Sequence, residues 1–316
     1  MSDGTPAPTS ARRPGRLLAW LGGAVVVAAA LWTLRGQWSA AAAVAATVRP
    51  AWGLMILASA IVLAAYGVLI LTWRATVADA GAPLSVADSA RIWFVSNLAR
   101  YLPGALWQMG ALAVLAKQRG ASASAATSAA LVLTVINTLC GLGVALAFGG
   151  ELAGPAPVTP WIPILLGIAG LAALRWVAPP LVGWLARRTG RTLQLPRLSS
   201  GAIAIAVVGS VVSWLAYGLA FRLVVAGTVP DVQLTAGAAI AIYGASYLAG
   251  FLSLGPPAGL GVADGAMIWL LTAGGIATPA QAVVISAITR LWRTVLEIAP
   301  GFVALAVQRS RGSRIP

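Results

Sequence analysis

The residues able to do chemistry fall in three short stretches. In ITRLWRTVLEIAP, Arg290, Arg293 and Glu297 are separated by three and four positions, so a helix presents them on one face as a short polar ladder. Arg293 and Glu297 can neutralise each other, leaving Arg290 to pair with Asp264 from the preceding span or with an anion from a substrate; a purely structural ion-pair network is the alternative. In SNLARYLPGALWQMG, residues 96–110, Asn97 and Arg100 lie three apart, Pro103-Gly104 starts a new direction, and Gln108 follows on the next short helix. Ends of half-helices expose backbone groups to a ligand, and an N-terminal end favours an anion, so Arg100 is suited to clamp a phosphate. The competing reading is an interfacial arginine meeting the headgroups of the bilayer itself. In GPPAGLGVADGAM, residues 255–267, Pro256 and Pro257 break an apolar stretch, Gly255, Gly259, Gly261 and Gly265 permit turns and close backbone approach, and Asp264 puts a carboxylate just inside the next helix. The Walker lysine and serine are missing, so this is no nucleotide loop.

Several chemistries are excluded outright. There is no histidine, which removes histidine-based hydrolysis, histidine-ligated metal or haem, and histidine proton relays. A single cysteine, Cys140, permits neither an intrachain disulfide nor a cysteine metal site. No catalytic residue, metal site or cofactor is expected. A transferase acting on a lipid-linked substrate would need an acidic pair, and Asp79, Asp88 and Asp264 would have to converge in space to supply one. The 21 Lys and Arg against 7 Asp and Glu, a net charge of +14, sit at the ends of apolar segments without interleaved aromatics, which points to orientation in a bilayer and away from nucleic acid.

The elements that position these residues are membrane helices. Of 316 residues, 59% are apolar and 9% charged, a composition that cannot build a water-soluble surface. The pattern is that of an all-α polytopic membrane protein, with spans near 17–34, 51–73, 125–148, 161–184, 200–226 and 280–308. The first span also has the features of a signal peptide. Residues 84–118 are expected to form a broken, re-entrant hairpin, and 236–276 two crossings joined by the break near 255–261, giving about eight transmembrane helices. With the N-terminus in the cytoplasm, Arg74, Lys117, Arg119, Arg187, Arg188, Arg191, Arg197, Arg309, Arg311 and Arg314 all lie inside, and the external joints carry Arg35 and Arg49. The expected organisation is a cytoplasmic tail over 1–16, one transmembrane domain over 17–308, and a basic cytoplasmic tail over 309–316. A Pro-Gly break at membrane depth must be covered by protein or line a wet cavity. One such break in each half suggests an inverted repeat with a site at the repeat interface, as in transporters. Of two further arginines within spans, Arg175 can reach a kink or interface and Arg222 is explained by snorkelling.

Three stretches carry a resemblance: NLARYLPGALWQMGALAVLAKQRG at 97–120, PPAGLGVADGAMIWLLTAGGI at 256–276 and AQAVVISAITRLWRTVLEIAPG at 280–301. Through them the chain resembles the flippase-like membrane family typified by the transmembrane region of lysylphosphatidylglycerol synthase. The middle stretch departs from the family's more usual Gly-Leu-Gly-Val-Arg-Glu, with Ala263 in place of arginine and Asp264 in place of glutamate. The resemblance implies movement of anionic or modified phospholipids, or of a prenyl-phosphate-linked lipid, between leaflets of a bacterial inner (cell) membrane. It implies substrate-binding roles for Asn97, Arg100, Tyr101, Gln108, Asp264, Arg290 and Glu297, to which the polar ladder of the last span adds Arg293. Pro103, Gly104, Pro256, Pro257, Gly259 and Gly261 are expected to break or gate helices. With no soluble domain expected after residue 308, the chain reads as a stand-alone member without aminoacyl transfer. Its expected partners are the lipid, the bilayer and a lipid-modifying or glycosyltransferase enzyme; a lipid-linked transferase or a non-catalytic membrane partner is the alternative.

Overall fold

The computed structural model describes residues 38–101, 107–150, 198–253 and 257–312, with isolated positions between 180 and 188. The expected span at 17–34, most of that at 161–184, Pro103, Gly104, Pro256, Arg175, the N-terminal tail and the last four residues lie outside the described residues.

All regular structure among the described residues is helical. The helices are α1 (Trp38–Thr47), α2 (Trp52–Asp79), α3 (Val86–Leu98), α4 (Trp107–Gln118), α5 (Ala123–Gly149), α6 (Ser200–Thr228), α7 (Ala236–Leu252), α8 (Val262–Ala273) and α9 (Pro279–Gly312). Tight 3-10 turns at Ala99–Tyr101 and Pro257–Gly259 follow α3 and precede α8. Helices α2, α5 and α6, with 28, 27 and 29 residues, are long and apolar enough to cross a membrane, in agreement with the spans read near 51–73, 125–148 and 200–226. The protein is an all-α, multi-pass membrane protein.

The broken segments are built from shorter pieces. At 1.5 Å per residue, the 13-residue α3 and 12-residue α4 reach only ~20 and ~18 Å, well short of a ~30 Å hydrocarbon core. By the same arithmetic the 12-residue α8 reaches ~18 Å and cannot cross alone, while the 17-residue α7 reaches ~26 Å.

The two halves run through the same order of devices. Near the end of α2, Arg74 Nε donates to the Leu84 carbonyl at 2.8 Å, and Ser85 then caps α3 by accepting from the Asp88 N–H. Near the end of α6, Arg222 Nε donates to the Leu234 carbonyl at 2.8 Å, and Thr235 caps α7 by accepting from the Ala238 N–H. Arg222 therefore ties a helix end to the next cap, where simple snorkelling was expected. A glycine at positive φ closes α4 (Gly120, +78°) and α8 (Gly275, +64°). In each, the glycine N–H bonds three residues back and the next N–H five residues back, the Schellman pattern that satisfies the last carbonyls of a helix. Ser122 and Thr278 follow as caps, each accepting from the N–H three residues on.

Helices α2 and α6 form the most extensive contact and run antiparallel. The Ala51 N–H donates to the Gly227 carbonyl at one end, and the Asp79 carboxylate accepts from Ser199 N–H and Oγ–H, at 2.7 and 2.8 Å, at the other. Between them, small residues let the backbones approach closely, as membrane helices require in the absence of a hydrophobic force. Gly209 lies against Thr72, and Gly218 against the Ile240 backbone of α7, where a Cβ would overlap the Ile240 Cα. Ala58, Val62, Ala220 and Val224 form a small apolar cluster of their own in the α2–α6 contact.

Gly218→Leu must therefore force α6 and α7 apart. The expected cost is at least the ~1–3 kcal/mol of an overpacked core. Gly67→Ala, at a position with nothing within 4 Å of an added Cβ, serves as the neutral control. Thermal unfolding in detergent reads both, and equal midpoints for the two variants would show that the α6–α7 approach is not tight.

Candidate functional site

The two breaks meet. The turn at Ala99–Tyr101 touches the turn at Pro257–Gly259, and α9 packs along both α3 and α8, so it passes beside the junction. Backbone conformation sets the second break: Ala258, Gly259 and Gly261 all have positive φ, at 51°, 66° and 81°. A Cβ on Gly259 would lie 2.7 Å from backbone atoms of Gly250 in α7, so the break is pressed directly onto that helix.

Arg290 anchors this break. Its Nε and Nη2 donate to the two oxygens of Asp264 at 2.8 and 2.6 Å, a two-point pairing of guanidinium and carboxylate. Its Nη1 and Nη2 also donate to the carbonyls of Ala258 and Gly259 at 3.2 and 3.4 Å, groups that the break has freed from helical bonding. Asp264 in turn accepts from the Gly261 N–H at 3.0 Å, closing the first turn of α8. Of the two partners weighed for Arg290, Asp264 is the one it takes, and its donors are largely used up.

Glu297 anchors the other break. Its side chain is only 7% exposed, and its Oε2 accepts from the Tyr101 hydroxyl at 2.5 Å. Arg100 Nη1 lies 3.5 Å from the same oxygen, and Arg293 Nε 3.6 Å from Oε1. Arg100 Nη2 donates to the Tyr247 hydroxyl at 2.9 Å, and the Arg293 guanidinium lies over the Tyr247 ring at 5.2 Å from its centroid. Across the first break, Gln108 Nε2 donates to Asn97 Oδ1 at 2.6 Å, clasping α4 to α3. The structure thus joins Arg100, Tyr101, Arg293 and Glu297 in one network, Asp264 and Arg290 in a second, and Asn97 and Gln108 in a third. Asp79 and Asp88 are engaged by Ser199 and by Arg119 respectively.

Sequence reasoning singled out Tyr101 but missed the other four tyrosines. All five in the chain gather here: Tyr101 on Glu297, Tyr247 on Arg100 and Arg293, and Tyr243, Tyr217 and Tyr66 in successive ring contacts of 6.4, 6.0 and 5.9 Å. The signal available was the four-residue spacing of Tyr243 and Tyr247, which places both on one face of α7. Also missed were Ser246 and Thr289, which line a narrow cleft together with Tyr243, Tyr247, Ala263, Asp264, Arg290 and Arg293. Ala263 stands where the family's arginine was expected. It is buried on Gly250, where an added Cβ would come within 2.7 Å of its own.

A comparison with protein families finds a match over residues 19–301 to the lysylphosphatidylglycerol synthase TM region. The chain belongs to that family. No curated protein matches it in a whole-sequence comparison. Among the described residues, three buried or half-buried arginines stand against two carboxylates at the meeting of the broken segments, a local excess of one positive charge.

Removing Glu297 would strand Arg100 and Arg293 without a counter-charge in a low-dielectric site. Glu297→Leu is expected to cost ~3–5 kcal/mol, the usual effect of breaking one side of a buried pair. Glu297→Leu combined with Arg100→Leu should recover part of that loss. Denaturant unfolding of the four members of the double-mutant cycle measures the coupling, and a single-variant cost under ~0.5 kcal/mol would show that the carboxylate does not neutralise the pair.

Proposed function

We propose that this protein moves an anionic phospholipid, or a prenyl-phosphate-linked lipid, between the leaflets of a bacterial cell membrane. One observation carries the reading: at the junction of two broken helical segments, three arginines face two carboxylates that the protein's own groups already engage. A spare positive charge at membrane depth is costly, ~2.5–3.5 kcal/mol on insertion scales, and marks a pathway for a charged group. A singly charged phosphodiester neutralises it. The headgroup enters between the breaks while the acyl or prenyl chains remain in the bilayer.

The topology that accompanies this function is an inverted repeat, with α2–α5 as one copy and α6–α9 as the other. The shared order of arginine tether, hydroxyl cap, break, glycine turn and hydroxyl cap supports it. In this reading α3–α4 and α7–α8 enter from opposite faces as re-entrant hairpins and meet at their tips. The lengths of α7 and α8 favour a hairpin over the two crossings read from the sequence. Both termini remain cytoplasmic. Arg100, Arg290 and Arg293 provide the field for the phosphate, and Asn97 with Gln108 holds the first hairpin closed. Rocking one hairpin against the other at the glycine-rich break gives alternating access. A lipid-modifying or glycosyltransferase enzyme would supply or consume the lipid.

The test is lipid transfer in proteoliposomes of defined orientation, following headgroup exposure of phosphatidylglycerol and of a prenyl phosphate on both leaflets, with and without an ion gradient. Arg100→Ala and Arg293→Ala should lower the rate at least tenfold while retaining a cooperative unfolding transition. Absence of transfer by folded parent protein under both gradient conditions, or parental rates in both variants, would rule the reading out.

A further inference from the structure

Hydroxyls inside the apolar helices of this chain follow one habit. Thr127, Thr134, Thr138, Ser213, Thr228 and Thr272 each donate to the carbonyl four residues back, which hides the polar group within its own helix. Ser246 and Thr289 break the habit. They are 1% and 3% exposed, and neither hydroxyl oxygen has a hydrogen-bond partner among the described residues. Ser210 shares this lack but does not line the cleft described above. Ser246 and Thr289 do line it, together with Arg293, whose Nε lies 3.6 Å from Glu297 Oε1, an ion pair just beyond hydrogen-bonding distance. Thr289 and Arg293 are four residues apart on α9, so they present their polar atoms on one face, opposite Ser246 on α7. Buried polar groups left unpaired are destabilising, and two such hydroxyls lining one cleft beside a guanidinium point to something that pairs them when present.

We propose that Ser246, Thr289 and Arg293 form a subsite for one oxygen of a singly charged anion, brought to it by the phosphodiester of an uncharged-headgroup anionic lipid such as phosphatidylglycerol. This rests on the lipid-translocation reading above and narrows its substrate. All three groups can donate, and the cleft volume, about 20 Å³, has room for one water-sized group. Asp264, which lines the cleft, is taken by Arg290 and by the Gly261 N–H, and Glu297 is shared among Tyr101, Arg100 and Arg293. No carboxylate of this site is left to receive an ammonium group, so a headgroup carrying an added amine gains nothing here and meets the excess positive charge. The hydroxyls serve as specificity-determining groups that the fold itself does not use.

That last property makes the proposal separable from a structural role. Thr289→Val and Ser246→Ala remove hydroxyls that bond nothing in the fold, so the unliganded full-length protein in detergent should unfold at or above the parental temperature. Binding of dioctanoyl phosphatidylglycerol, measured by titration calorimetry, should weaken tenfold or more in each variant, the loss of a hydrogen bond to a charged acceptor. The lysyl ester of the same lipid should bind at least tenfold more weakly than phosphatidylglycerol to the parent. Unchanged phosphatidylglycerol affinity in both variants, alongside loss in Arg100→Ala, would overturn the subsite and leave the translocation reading standing. Binding of chloride or dihydrogen phosphate that depends on Thr289, without lipid binding, would overturn the lipid source. Equal or tighter binding of the lysyl ester would overturn the headgroup assignment. No binding of any anionic lipid by the parent would overturn both readings.

Discussion

A carboxylate shared by more cations than it can neutralise governs the centre of this protein. Glu297 accepts a hydrogen bond from Tyr101 and lies between Arg100 and Arg293, drawing α9 and the turn after α3 to one point. In bulk water such contacts contribute little. In a partly desolvated site each charge must find a partner, so the network dictates where the broken segment ends and how α9 passes it. About two helical turns away, Arg290 pairs with Asp264 and binds α9 to the second break. The long final helix is thus the strut against which both breaks are set.

That strut works because the surrounding helices permit close approach. Glycines 209, 218, 250 and 259 sit where a side chain would strike a neighbouring helix or backbone, and the antiparallel α2–α6 pair forms a rigid wall. Against it, the breaks can leave carbonyls outside helical bonding because Arg290 satisfies two of them. Irregular backbone at membrane depth is tolerable only when covered in this way.

The tyrosines link the wall to the charges. Tyr66, Tyr217, Tyr243 and Tyr247 carry ring contacts from α2 and α6 to α7, and Tyr247 meets Arg100 through its hydroxyl and Arg293 through its face. Aromatic side chains combine apolar bodies with polar tips, so they bridge a lipid-like interior and a charged centre without leaving either unsatisfied.

Much of this was legible in the sequence by itself. Composition and the length of the apolar runs determined an all-α membrane protein, because hydrocarbon demands that each spanning backbone satisfy its own hydrogen bonds. The Pro and Gly clusters marked both breaks, and the three- and four-residue spacing of Arg290, Arg293 and Glu297 put them on one helical face, since helical periodicity is a local property. What only the tertiary structure decided was which groups meet across long sequence separations. Glu297 belongs to Arg100 and Tyr101 as much as to Arg293, Arg290 belongs to Asp264 and the carbonyls of the break, and Asn97 belongs to Gln108. The role of the tyrosines, and the unpaired hydroxyls of Ser246 and Thr289, depend on packing between helices with no fixed sequence spacing, and no periodicity encodes them. Local patterns report the face a residue occupies; the partner it meets there is set by how the helices dock.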